Sequence, residues 1–86
     1  MSLTDTAHFE QTAVRMLRTL GCEAPMIAPV HHLSVDLGID STELIELATI
    51  ARDELALRIK PDLRHMETVS DLAVELARLV ENDRRA

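Results

Sequence analysis

Asp36-Leu37-Gly38-Ile39-Asp40-Ser41-Thr42-Glu43-Leu44 joins a glycine-containing turn to the start of a helix. Asp40 is a good N-cap, and Glu43 stands three residues later. Together they form a capping box in which Asp replaces the usual Ser or Thr. Downstream, Leu44, Leu47, Ala48, Ala51 and Leu55 fall at i, i+3, i+4, i+7 and i+11. That spacing makes one apolar stripe and predicts a core-facing helix over 41–57.

Upstream, Phe9, Ala13, Met16, Leu17 and Leu20 recur at threes and fours, which predicts a first helix over 4–20. Thr4 or Asp5 is placed to cap it, and Gly21 to end it. Between the two helices, Pro25 and Pro29 forbid a continuous helix. The resulting loop over 22–39 is long for a small domain, so it is expected to cross the bundle. Met26, Ile27, Val30, Leu33, Val35 and Leu37 are its candidate anchors. Downstream of the second helix, Lys60-Pro61 breaks the pattern, and 61–65 reads as one short helical turn beginning at proline. Val69, Leu72, Ala73, Leu76, Leu79 and Val80 predict a last helix over 69–81, with Thr68 and Asp71 as its cap pair. The polar tail 82–86 is expected to fray. The whole chain, 1–86, reads as one domain, ordered over about 4–81.

Composition agrees with an all-helical class. The chain is 47% hydrophobic but only 1% aromatic, with Phe9 alone and neither Trp nor Tyr. Its apolar mass is Leu, Ala, Ile, Val and Met, and Leu, Ala and Met are good helix formers. A net charge of −6 repels nucleic-acid backbones and anionic membranes, so basic protein patches are the expected partners. No stretch approaches the roughly 20 apolar residues of a membrane span. A single cysteine, Cys22, forbids an internal disulfide and fits a reducing cytoplasm. The first residues lack a basic segment followed by an apolar run, so no signal peptide is expected. His31-His32 and Cys22 fall short of the four spaced ligands of a zinc site, and no metal is expected. Glu43, Glu46, Asp53 and Glu54 read as a solvated helix face, not as an acid–base pair, and no catalytic residue is expected. Ser41 lacks the Gly-x-Ser-x-Gly elbow of a hydrolase.

The chemistry lies at Ser41. A first-turn side chain can project clear of the core. The first N–H groups of a helix lack internal partners, and the macrodipole is positive there. A phosphodiester on Ser41 would sit in a favourable field, worth about 0.3–1 kcal/mol when exposed. Local physics by itself requires no more than a helix-start serine.

The string Asp36-Leu37-Gly38-Ile39-Asp40-Ser41 resembles the attachment motif of acyl carrier proteins and of the carrier domains of polyketide and peptide synthetases. The resemblance continues through Glu43, Ile45, Glu46 and Leu47 to Leu55 and Ile59, and resumes at Thr68-Val69-Ser70-Asp71-Leu72. It implies a four-helix bundle with a long first loop and a short third helix. It also implies carriage without catalysis. A phosphopantetheinyl transferase would move 4'-phosphopantetheine from coenzyme A to Ser41, within the motif residues Asp36, Gly38 and Asp40. A loading enzyme would then place an acyl or aminoacyl group on the arm's thiol for downstream synthases or transferases. Tethering raises the effective concentration of that group at partner sites. By position, the partner-facing residues would be Thr42, Glu43, Ile45, Glu46, Thr49 and Asp53. A cargo pocket lined by residues such as Leu44, Leu47 and Ile59 is a further implication.

The chain departs from the family pattern in three places. Thr42 stands where Leu usually follows the serine, Arg52 stands where fatty-acid carriers often have an acid, and the segment between Ile59 and Val69 is about one residue short. These changes point to a specialised carrier serving a biosynthetic cluster or a dedicated ligase rather than a standard fatty-acid-synthase component, and a monomer is expected. The charge and motif lean towards an acyl carrier of fatty-acid, polyketide or related biosynthesis. An aminoacyl or peptidyl carrier and an unmodified helical interaction module are the alternatives.

Overall fold

The structure is a computed structural model that describes residues 6–85. Three helices form among them: α1 (Thr6–Leu20), α2 (Ser41–Leu55) and α3 (Val69–Arg85). There is no strand among the described residues, only an isolated antiparallel bridge between His32 and Thr68. The expected caps Thr4 and Asp5 lie outside the described residues.

α1 packs against both α3 and α2. Its buried face is Phe9, Thr12, Ala13, Met16 and Leu17, which meets Leu44, Leu47, Ala48 and Ala51 of α2 and Val69, Leu72, Ala73 and Leu76 of α3 in one core. Thr12 is the polar member of the α1 face, and its Oγ1 donates to the His8 carbonyl at 3.1 Å, which removes the cost of burying a hydroxyl. Gly21 ends α1 with φ +114, and the Gly21 and Cys22 N–H groups both reach back to the Leu17 carbonyl. Only glycine adopts that backbone readily.

α2 stops two residues before its expected end. Ala56 takes a left-handed conformation (φ 54, ψ 44), and the Leu57 N–H reaches back 2.9 Å to the Arg52 carbonyl. This Schellman-type closure normally uses glycine. Ala56→Gly is therefore expected to raise stability by about 1 kcal/mol, the order of the steric penalty a Cβ suffers there. Urea titration followed by circular dichroism would measure it.

The short helix expected at 61–65 does not form, so the described residues hold three helices instead of four. Asp62 supplies the reason. Its carboxylate accepts the Arg64 N–H at 3.1 Å and grips the Arg64 guanidinium with two bonds of 2.9 Å. This local side-chain bonding offers the backbone an alternative to helix. Leu63 between them is fully buried (0% exposed), and Met66 N–H closes one turn on the Leu63 carbonyl at 3.2 Å.

α3 carries the expected cap. Thr68 Oγ1 accepts the Asp71 N–H at 3.0 Å, and the Asp71 carboxylate accepts the Thr68 N–H at 3.2 Å. The helix continues past Glu81 to Arg85. Arg58 holds this end, its N–H donating to the Asp83 carboxylate at 3.2 Å and its guanidinium to the Asp83 carbonyl, while Arg85 pairs with Glu81 one turn earlier.

The long loop does cross the bundle, although only some of its apolar residues anchor it. Leu33 and Ile39 are core residues, and Ile27 and Leu37 pack against the core. Met26 (68% exposed), Val30 (81%) and Val35 (80%) face solvent, contrary to expectation. Main-chain bonds do much of the anchoring instead. Leu33 N–H donates to Glu67, Val69 N–H to His31 and Ser70 N–H to Pro29, at 2.8–3.0 Å. These bonds stitch the loop to the start of α3.

Candidate functional site

Each residue of the Asp36–Ser41 string has a physical task. The Asp36 carboxylate accepts the His32 N–H at 2.7 Å, and the Asp36 N–H returns to the His32 carbonyl at 3.0 Å. His32 tightens the same turn, because its Nδ1 accepts from the Ser34 and Val35 N–H groups, each at 3.2 Å. Gly38 turns the chain with φ +70 and donates to the Ser34 carbonyl at 3.0 Å. Open space surrounds the site of a Gly38 Cβ, so backbone strain alone selects glycine there. Ile39 inserts into the core and donates to the Leu33 carbonyl at 2.8 Å. The string thus fixes where α2 begins.

Asp40 then sets the helix. Its backbone is extended (φ −97, ψ 178), its Oδ1 accepts the Glu43 N–H at 2.8 Å, and the Glu43 carboxylate accepts the Asp40 N–H at 3.1 Å. This is the reciprocal box expected from the sequence. Asp40→Ala should lower stability by about 1 kcal/mol, measurable as a shifted urea midpoint with unchanged slope.

Ser41 is the first residue of α2 and is exposed. No described residue holds its hydroxyl in a hydrogen bond. The box occupies the Asp40 and Glu43 amides, which leaves the Ser41 and Thr42 amides at the positive end of the helix. Both nearby carboxylates are turned onto backbone amides. A phosphodiester on Ser41 Oγ therefore fits: there is open solvent around the hydroxyl, helix-end dipoles beneath it, and no core packing to displace.

The expected partner-facing residues fall on the outside of α2. Thr42, Ile45, Glu46 and Asp53 are exposed, and Glu43 and Thr49 are half-buried. Thr42, Glu46, Thr49 and Asp53 follow at fours and threes and make one row beside the Ser41–Ile45 row. Arg52 lies 3.6 Å from the Asp53 carboxylate and partly neutralises it. Glu54 pairs with Arg15 of α1 at 2.7 Å, so it belongs to the α1–α2 contact and not to an acidic site. No group of three His, Cys, Asp or Glu among the described residues is placed to hold a metal ion. No helix among them is long and apolar enough to cross a membrane.

The residues expected to line a cargo pocket are not brought together. Leu44 and Leu47 face the core. Ile59 lines a separate groove with Leu57, Lys60, Pro61 and Leu79 against α3. A different groove, of about 280 Å³, lies on the Ser41–Ile45 side of α2 and is lined by Ile45, Ala48 and residues 60–64. Sequence reasoning missed Lys60, Asp62 and Arg64 there, because an irregular segment has no periodicity to reveal which way its side chains turn. The bonds from Arg64 hold the Asp62 carboxyl well below the usual carboxylate range.

A family model described as "phosphopantetheine attachment site" matches residues 13–80. No curated protein and no solved structure gives a significant match.

Proposed function

Since this chain belongs to the phosphopantetheine-attachment family and is a carrier of that group, we propose that Ser41 is the attachment residue and that Asp36, Gly38 and Asp40 form its presenting motif. The observation that carries this reading is the exposed, unbonded Ser41 hydroxyl at the first position of a box-capped helix. Within a family match over 13–80, Ser41 alone stands at the end of the Gly38-Ile39-Asp40 turn.

The group supplies a long flexible arm whose terminal thiol takes acyl groups as thioesters. The protein supplies the platform. Asp36, His32 and Gly38 set the turn, Ile39 anchors it, and Asp40 with Glu43 fixes the direction of α2. Carriage in this family is not catalysis. The segment 61–65, a turn here, stands where the resemblance placed a short third helix, so the platform is built by three helices among the described residues.

The face of α2 around Ser41 supports docking to basic partner enzymes. Thr42, Glu43, Ile45, Glu46, Thr49 and Asp53 would form it, with Ile45 as its exposed apolar contact. Charges of this kind steer encounter more than they add affinity. The transferase, a loading enzyme and downstream synthases of an acyl pathway are the proposed partners, and a cytoplasmic monomer is the proposed state. Intact-mass spectrometry after incubation with coenzyme A and a promiscuous phosphopantetheinyl transferase tests the reading. One added phosphopantetheine on the peptide containing Ser41 is the expected result. No addition, or addition elsewhere, would overturn it.

A further inference from the structure

The groove beside Ser41 has an unusual charge. Ile45 lies four residues after Ser41, which places it on the same side of α2 and roughly 6 Å further along the axis. Ile45, Ala48 and Leu63 give the groove an apolar floor, and Lys60, Asp62 and Arg64 contribute its polar part. Asp62 and Arg64 are paired at 2.9 Å and offer no net charge. Lys60 has no ion pair among the described residues. The carboxylate on its other side, Asp83, is bound by Arg58. Lys60 is also the only lysine in a chain of net charge −6. An otherwise acidic protein thus places one uncommitted ammonium at a groove one helical turn from the attachment hydroxyl.

We infer that this groove takes the free end of a short carried group bearing a carboxylate, with Lys60 as its counter-ion. The inference rests on Ser41 being the attachment residue. Small-molecule clefts typically run from about 300 to 1,000 Å³, so a groove of about 280 Å³ suits a short chain rather than a long fatty one. The apolar floor takes the methylenes. A neutral acyl group would gain only that floor, whereas a carboxylate also meets Lys60. An anionic cargo lying over Glu43, Glu46 and Asp53 on the α2 surface would meet carboxylates, whereas in the groove it meets Lys60.

The test loads Ser41 with glutaryl- or pentanoyl-phosphopantetheine, two groups of equal chain length, from their coenzyme A thioesters. Reductive methylation with a labelled carbon keeps the Lys60 charge and gives it a single side-chain resonance. Glutaryl loading should shift that resonance and the methyl signals of Ile45 and Leu63, and pentanoyl loading should not shift Lys60. Occupancy of the groove by the glutaryl group should exceed that in Lys60→Gln by about threefold at low salt, the size expected of an exposed ion pair. The excess should fade in molar salt. Lys60→Arg should retain it. Equal behaviour of the two cargoes, or glutaryl shifts at Ile45 that survive Lys60→Gln unchanged, would overturn the inference while leaving Ser41 as the attachment site. Failure of either thioester to load Ser41 would count against the attachment reading and remove this inference with it.

Discussion

Ser41→Ala is expected to lose all phosphopantetheine addition while unfolding at nearly the same urea concentration as the parent. The two halves of that result have separate causes. Addition needs a nucleophilic oxygen, and a methyl side chain has none. Stability should hardly move because the hydroxyl touches nothing: it is exposed, it has no hydrogen bond among the described residues, and the cap belongs to Asp40 and Glu43. Alanine is also at least as good a helix former as serine. Surface changes away from caps and cores usually stay within about 0.5 kcal/mol. Intact mass after transferase treatment reads the first half, and urea titration the second. Residual addition in Ser41→Ala would move the attachment site to another hydroxyl. A marked loss of stability would mean that Ser41 has a structural task which its exposure does not suggest.

Leu63→Ala is expected to be the most destabilising of the substitutions considered, by about 2–5 kcal/mol. Leu63 sits outside every helix yet is fully buried in the same core as Leu47 and Leu72. Truncation would leave a cavity flanked by helices on rigid caps, which limits collapse into the gap. A domain of this size holds only about 5–15 kcal/mol in total, so the loss is a large fraction of its stability. Urea unfolding by circular dichroism gives the value directly. A cost below about 1 kcal/mol, well under the usual range for a buried leucine, would show that the segment after α2 folds onto the core only loosely. The groove beside Ile45 would then lose its floor as well, so this variant also reports on the wall that carries Lys60.

The three helices and their buried faces were legible because amphipathic periodicity is a strong signal. The stripes of Phe9 to Leu17, Leu44 to Ala51 and Val69 to Leu76 each point inward as spaced. The caps at Asp40 and Thr68 were legible for a similar reason: two side chains and two amides three residues apart have few other partners. The irregular segments were not. Val35 and Leu33 look alike in the loop, but a main-chain bond from Leu33 to Glu67 turns one inward and leaves the other in water. Pro61 correctly marked a break, yet the side-chain bonds of Asp62 decided against a helix, and no local pattern announces that choice. The Asp36–Ser41 string was legible as a motif. The turn locked by His32 and Asp36 rests on side-chain bonds to main-chain amides, which no sequence pattern announces.

The three main-chain bonds between the loop and the start of α3 bear on portability. Residues 29–33 and 67–70 hold each other, although more than thirty positions of sequence separate them. The shelf on which Ser41 stands is thus fastened by the far half of the polypeptide. A minimal tag cut from around Ser41 would leave Leu33 and Ile39 without the helices that bury them. An enzyme that recognises the shelf in this protein must therefore be given the assembled domain, since the excised fragment would offer it only a serine on a slack thread.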